Sequence, residues 1–294
     1  MPISTRAANV LPIALLLLAM ASFQAGASIA KTMFPIVGAT AMVTVRILFG
    51  AVILCLTLRP WRVRITRASW RALVVYGVSL GVMNFLFYAA LNRIPLGIAV
   101  ALEFTGPLAV AVLASRRLVD FVWVLLACAG LSLLLPVANL RDAVDTLGML
   151  YSLGAGACWA LYIVYGQRAG AYYGSRTVAL GTLISAIVIV PIGVLNAGSA
   201  LFSRAIVLPG LAVAVLSTAI PYSLEMVALR RLPARTFGIL MSLEPACGAL
   251  FGLLFLNERL AAMQWTAIAL VIAASIGTAA TAGRKTLAPV PVAE

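Results

Sequence analysis

Histidine is absent from this 294-residue chain. Its absence removes three common chemistries at once: the Ser-His-Asp triad, the histidine-ligated metal and the histidine proton switch. Acidic residues number only eight, and the only lysines are Lys31 and Lys285. Neither lysine completes a phosphate-binding loop. The nearest approach, Gly26 to Lys31-Thr32, lacks the second glycine and lies inside an apolar run, so no nucleotide-driven motor is built in. Cys55, Cys128, Cys158 and Cys247 each stand alone in apolar segments with no CxxC pair, which suits small packing residues rather than disulfides or metal ligands. No metal site and no cofactor are expected.

Apolar residues make up 64% of the chain, against roughly 45–50% in ordinary globular proteins. Charged residues are 10% and the mean hydropathy is +1.11. Such an excess cannot be hidden in a soluble core, and the apolar runs are about 20 residues long, the length a helix needs to cross a bilayer. The sequence therefore reads as an all-α integral membrane protein. Disorder and a secreted disulfide scaffold are excluded. A nucleic-acid partner is excluded too, because a net charge of +13 on a membrane chain reports orientation.

Broken at charge and proline clusters, the runs give ten spans: 11–31, 38–58, 72–91, 96–114, 121–138, 147–166, 177–195, 205–229, 234–256 and 261–280. Their length and lack of strict alternation argue for helices over barrel strands. The first run has Arg6 before it and Ala25-Gly26-Ala27 late in it, as a signal peptide would. Its apolar stretch exceeds a typical signal core, and nine spans follow. With the N-terminus cytoplasmic, fifteen lysines and arginines fall inside, among them Arg59, Arg62, Arg64, Arg67, Arg71, Arg116, Arg117, Arg235, Arg284 and Lys285. Five fall outside: Lys31, Arg93, Arg141, Arg204 and Arg259. The bias places both termini in the cytoplasm. Trp61, Trp70, Trp123 and Trp265 sit at span ends, where indole anchors at the headgroups. The arginine-rich 59–71 loop is a candidate to bind anionic lipid, but solvated positive-inside charge is sufficient to explain it.

The halves look like copies. Leu91-Asn92-Arg93-Ile94-Pro95 and Pro107 align with Leu229-Arg230-Arg231-Leu232-Pro233 and Pro245 at an offset of 138. Leu118 and Trp123 align with Leu260 and Trp265 at 142, and Ala25-Gly26-Ala27 echoes Ala155-Gly156-Ala157. Residues 1–145 and 146–294 are thus expected to be two five-helix repeats. An odd number of spans per copy inverts the second relative to the first, the plan of many secondary transporters.

Ionisable groups within the hydrocarbon are functional candidates by default. Asp120, Asp142, Asp145, Glu258 and Glu294 map to loops or ends, leaving Glu103, Glu225 and Glu244. Glu103, before Pro107, and Glu244, before Pro245, sit near mid-membrane where proline frees a backbone carbonyl. They are candidates to meet a substrate ammonium or to carry protons; a structural carboxyl, or a charge pair with Arg46, is the alternative. Glu225 has Arg231 and Arg235 within reach as partners.

Helical spacing gathers Tyr76, Ser79, Met83, Asn84 and Phe87, with Tyr88 beside them, in the third span. Trp159 and Tyr162 are three apart in the sixth; Ser217, Thr218, Pro221, Tyr222 and Glu225 form a face in the eighth. Together these faces can line one cavity suited to a small amphiphilic solute, or simply fill space between helices. Asn84 and Ser217 can bind a carboxylate or amine without a fixed charge. Gly77-Val78-Ser79-Leu80-Gly81 and Gly248-Ala249-Leu250-Phe251-Gly252 are pairs that permit close helix approach.

Long stretches of the chain resemble the drug/metabolite transporter superfamily, EamA type, and within it the bacterial threonine/homoserine exporters. They are Tyr76 to Gly81, Val100-Ala101-Leu102-Glu103-Phe104-Thr105-Gly106-Pro107-Leu108, Gly154 to Ala160, and Ser217-Thr218-Ala219-Ile220-Pro221-Tyr222-Ser223-Leu224-Glu225. Asn257-Glu258-Arg259-Leu260 is similar to the family's late acidic signature, with Asn257 where many members have glycine. The resemblance implies ten helices in two inverted repeats, the bacterial inner membrane, and export of amino acids by alternating access. The aromatic amino-acid exporters are more distantly similar, so a range including other neutral or aromatic amino acids is implied. Proton coupling and oligomeric state stay open. So do export of other metabolites or drugs, a membrane-embedded enzyme, and a non-transporting scaffold.

Overall fold

The computed structural model describes residues 5–67, 69–113, 119–134, 145–198, 201, 203–231, 240–241 and 243–281. Arg116, Arg117, Leu118, Arg141, Asp142, Leu232, Pro233, Arg235, Arg284, Lys285 and Glu294 lie outside them. Among the described residues every regular element is helical.

The helices are α1 (Thr5–Val37), α2 (Ala39–Leu58), α3 (Trp70–Leu91), α4 (Leu96–Glu103), α5 (Thr105–Leu113) and α6 (Val119–Leu134). After them come α7 (Thr146–Tyr173), α8 (Arg176–Ala197), α9 (Arg204–Ala214), α10 (Ile220–Arg231), α11 (Glu244–Leu256) and α12 (Ala262–Thr281). A π turn, Val215–Ala219, joins α9 to α10. Six segments are long and apolar enough to cross a membrane, and four shorter apolar helices, Leu96–Val110, Phe121–Gly130, Glu244–Leu256 and Ala262–Ala274, accompany them. Their outward faces stay apolar, as Phe121, Ile187 and Leu195 show, and this surface suits lipid rather than water. The chain is a multi-pass membrane protein.

Helix ends follow local chemistry. Asp145 caps α7, its Oδ1 accepting from the Gly148 amide at 2.7 Å. Arg59 ends α2 in the left-handed region and Pro60 cannot continue the helix. Asn257 ends α11 at φ 55°, with the Glu258 amide donating back to the Gly252 carbonyl. Glycine and asparagine are the residues that tolerate this conformation, so asparagine in place of glycine there is conservative.

Two expected spans are interrupted, each upstream of a proline. The 96–114 span breaks at Phe104, between α4 and α5, where Thr105 Oγ1 donates to the Leu102 carbonyl at 2.6 Å. Pro107 has no amide to offer the Glu103 carbonyl. The 205–229 span contains the π turn, and Pro221 likewise leaves the Ser217 carbonyl without its usual helical donor.

The packing pairs α3 with α7 and α1 with α10; α3 with α8 and α2 with α9; α4 and α5 with α7, and α1 with α11. Three further pairs are α2 with α8, α4 with α11, and α6 with α12. Gly77 and Gly81 let α3 approach α8 so closely that an added Cβ would meet Ile184 and Ser185. Ser185 Oγ donates to the Gly77 carbonyl across this contact at 2.7 Å. The main core runs through Met42, Phe87, Leu91, Ile98 and Val213, around the site described next.

Candidate functional site

Arg46, in the middle of α2, is 1% exposed. Its guanidinium lies over two rings, 5.4 Å from the centroid of Phe23 on α1 and 5.2 Å from that of Tyr88 on α3. Nη2 donates to the Ser217 carbonyl at 3.0 Å, and Nε to Thr218 Oγ1 at 3.3 Å. The carbonyl that Pro221 sets free is therefore the one Arg46 takes. The next carbonyl of the same π turn, Leu216, accepts from Ser22 Oγ of α1 at 2.7 Å. An added Cβ at Gly26 would strike Ser217, so glycine is what allows α1 to press against this turn.

A cleft opens beside the guanidinium, lined by Arg46, Ile47, Leu80, Asn84, Thr182, Ser185, Thr218 and Tyr222. Four helices and the π turn contribute to it. Its volume is about 10 Å³ for water-sized occupants, roughly one water molecule. A larger solute needs the helices to part. Asn84 is itself anchored, donating to the Leu80 carbonyl at 2.7 Å.

Several buried polar atoms nearby have no hydrogen-bond partner among the described residues: Arg46 Nη1, both amide atoms of Gln24, and Glu244 Oε2. Such atoms are rare in folded proteins because each carries a desolvation cost. They belong to neighbouring segments. Phe23, next to Gln24, stacks on Arg46, and Gln24 Oε1 lies within 3.5 Å of where a Cβ on Gly248 would stand, one turn beyond Glu244. Glu103 is buried at the end of α4, within Coulombic reach of both Glu244 and Arg46.

Of the residues singled out from the sequence, Arg46, Asn84, Thr218 and Tyr222 thus line the cleft, and Tyr88 and Ser217 contact the Arg46 guanidinium without lining it. Glu103 and Glu244 are buried close by but do not line the cleft. No ion pair joins Arg46 to a glutamate among the described residues; backbone, hydroxyl and aromatic faces surround it instead. Trp159 packs edge-on against Phe104, centroids 5.6 Å apart, and Tyr162 stacks on Tyr76 at 4.8 Å. Both are held by other rings rather than by the cleft. Glu225 is half-buried on α10; Arg235 is not described, so that pairing is not seen. The sequence reading missed Gln24, Thr182 and Ser185, which carry no local signal beyond being polar within apolar helices.

One end of the bundle is closed by ions. Lys31 Nζ of α1 meets Glu258 Oε1 at 2.7 Å and donates to the Ile94 carbonyl at 2.6 Å. Glu258 Oε2 accepts the Leu96 amide at 2.8 Å, capping α4. Arg93 and Asp145 form a looser exposed pair at 3.4 Å.

Comparison with known proteins bears on this arrangement. The profile of the EamA-like transporter family matches residues 146–280. The threonine/homoserine exporter RhtA of Salmonella typhimurium (strain SL1344) is 56% identical over 286 residues, 97% of each chain. RhtA of Escherichia coli (strain K12) is 56% identical over 275 residues, 94% of this chain and 93% of that one. The uncharacterized transporter YwfM of Bacillus subtilis (strain 168) is 29% identical over 214 residues, 69% of this chain and 71% of its own. A protein of known crystal structure aligns over 94% of this chain and 98% of its own with a TM-score of 0.62 at 18% identity, a likeness of fold alone.

Proposed function

This chain belongs to the EamA-like transporter family, and from that premise we propose that it exports threonine and homoserine across the bacterial inner membrane. Other neutral or aromatic amino acids are accepted more weakly. The observation that carries this reading is 56% identity, over nearly the whole chain, to exporters of those two amino acids. The relatives are transporters, and nothing in them favours an enzyme.

The working unit is two inverted five-helix repeats, residues 1–145 and 146–294, forming ten transmembrane helices with both termini cytoplasmic. The helix pairings support this. Taking α4 with α5, and α9 with α10, as single spans and exchanging each span with the one five places on turns α3–α7 into α10–α1. The same exchange turns α3–α8 into α9–α2 and α4–α7 into α11–α1, and returns α2–α8, α4–α11 and α6–α12 to themselves. An inverted repeat has that property, and the four spans that line the Arg46 cleft exchange among themselves under it. Under the charge-bias orientation the Lys31–Glu258 end is outside, so the conformation is closed outward.

Transport proceeds by alternating access. Asn84, Tyr88, Ser217 and Tyr222 hold the solute near mid-bilayer, with Trp159 and Tyr162 reached when the helices part. Glu103 and Glu244 are the groups to receive the ammonium or a counter-transported proton, because they are buried carboxyls without an ion-pair partner among the described residues. Glu225 is a secondary candidate for the proton path.

Uptake of labelled threonine into proteoliposomes, with and without an imposed pH gradient, tests this. Threonine uptake above that of empty liposomes is expected, and a response to the gradient that Glu103→Gln abolishes identifies coupling. Absence of uptake, with no competition from an amino-acid panel, sinks the reading.

A further inference from the structure

Arg46 is a buried charge with no direct ion-pair partner among the described residues, although Glu103 lies within Coulombic reach. A guanidinium near mid-membrane is costly unless it is paired or hydrogen-bonded. Here only part of it is satisfied: Nε and Nη2 go to the π turn, and the rings of Phe23 and Tyr88 lie against it. Nη1 is left with no partner. Holding a free carbonyl and a hydroxyl needs only neutral donors, so the positive charge is not explained by the turn it supports. The cleft into which Arg46 opens is otherwise neutral, its polar lining consisting of one amide and four hydroxyls, and no acidic residue lines it.

We propose that Arg46 is the receptor for the substrate's α-carboxylate, which it binds through Nη1, so that the cleft selects solutes bearing a carboxylate. This inference rests on the amino-acid transport reading above. A carboxylate there completes the hydrogen bonding of the guanidinium and neutralises it in the same step. The ammonium of the same solute is directed away from Arg46, toward the side where Glu244 Oε2 and Gln24 lack partners. Recognition of an amino acid is thereby divided between a cationic pole on α2 and an acidic pole on α11. The arrangement also links binding to shape. Arg46 grips the π turn, and drawing it toward a ligand pulls on the segment at which α9 and α10 meet.

The experiment measures displacement of labelled threonine from the purified full-length protein by threonine and by threoninamide, which keeps the ammonium and hydroxyl but lacks the carboxylate. The wild type is expected to prefer threonine by on the order of 30-fold or more, the effect of removing one member of a buried charged pair. Arg46→Gln is expected to bring that ratio close to one, and Arg46→Lys, which keeps the charge but not the fork, to restore part of it. Equal binding of the two ligands by the wild type overturns the proposal without any variant being needed. So does an Arg46→Gln protein that binds both ligands more weakly but keeps the wild-type ratio, since that describes a purely structural arginine. A wild type that binds no amino acid at all refutes the transport reading itself, and the inference with it.

Discussion

The Lys31–Glu258 end and the Arg46 centre use the same residue types to opposite effect. At the end, a cation and an anion meet at 2.7 Å, each carboxylate oxygen has a donor, and the lysine also caps a carbonyl. In the centre, a deeper cation has no direct ion-pair partner among the described residues, and three buried side chains, Arg46, Gln24 and Glu244, retain atoms unpartnered among them. Full pairing is what a closure needs to hold; incomplete pairing is what a binding site needs so that its ligand can finish the job. On the proposed reading, the difference separates the residues that keep this conformation shut from those that await a solute.

If that division is right, the largest effect should come from emptying the centre. Arg46→Ala is expected to reduce threonine transport at least about 30-fold, measured as initial uptake in proteoliposomes, while thermal unfolding in detergent changes much less. A loss of fold as severe as the loss of transport would make Arg46 a structural residue. Second in size is the closure. Glu258→Ala removes both the ion pair and the cap on α4, and is expected to destabilise the closed state by roughly 1–3 kcal/mol. The readout is labelling, from the Lys31 end, of a cysteine placed in the cleft wall. Exchanging the charges, Lys31→Glu with Glu258→Lys, should restore part of the protection; no coupling between the two sites would mean that they are not a latch.

The all-helical, membrane-spanning character was legible in the sequence because a bilayer dictates span length. The α4–α5 break and the π turn were partly legible, since Pro107 and Pro221 announce which carbonyl loses its donor. What a proline cannot announce is the group that replaces the missing amide. Arg46 arrives from 171 residues away, so its bond to the Ser217 carbonyl is a product of packing alone. Thr182 and Ser185 were invisible for another reason: Thr182 Oγ1 bonds its own helix at the Val178 carbonyl, as hydroxyls in apolar helices usually do, and only packing brings it and Ser185, which bonds across to Gly77, to the cleft. Trp159 and Tyr162 were readable as a helix face but not as partners of Phe104 and Tyr76, for ring contacts between helices leave no trace in spacing.

Pro221→Ala sharpens the comparison from the backbone side. It returns an amide to the Ser217 carbonyl, competes with Arg46 for it, and is expected to lower transport about tenfold, near 1.4 kcal/mol, while leaving stability unchanged or slightly raised. An unchanged rate would show that the π turn has no part in transport. The smallest effect is expected from Arg93→Ala. Its pair with Asp145 is long and 41% exposed on both sides, so stability should move by less than about 0.5 kcal/mol. A change as large as that of Glu258→Ala would erase the distinction between latch and surface pair.

The most direct measurement is a structure of the protein with threonine bound. The account expects the carboxylate within hydrogen-bonding distance of Arg46 Nη1 in a widened cleft beside Asn84 and Tyr222, with the ammonium turned toward Glu244. Threonine bound elsewhere, with the guanidinium still holding only Ser217 and Thr218, would contradict it.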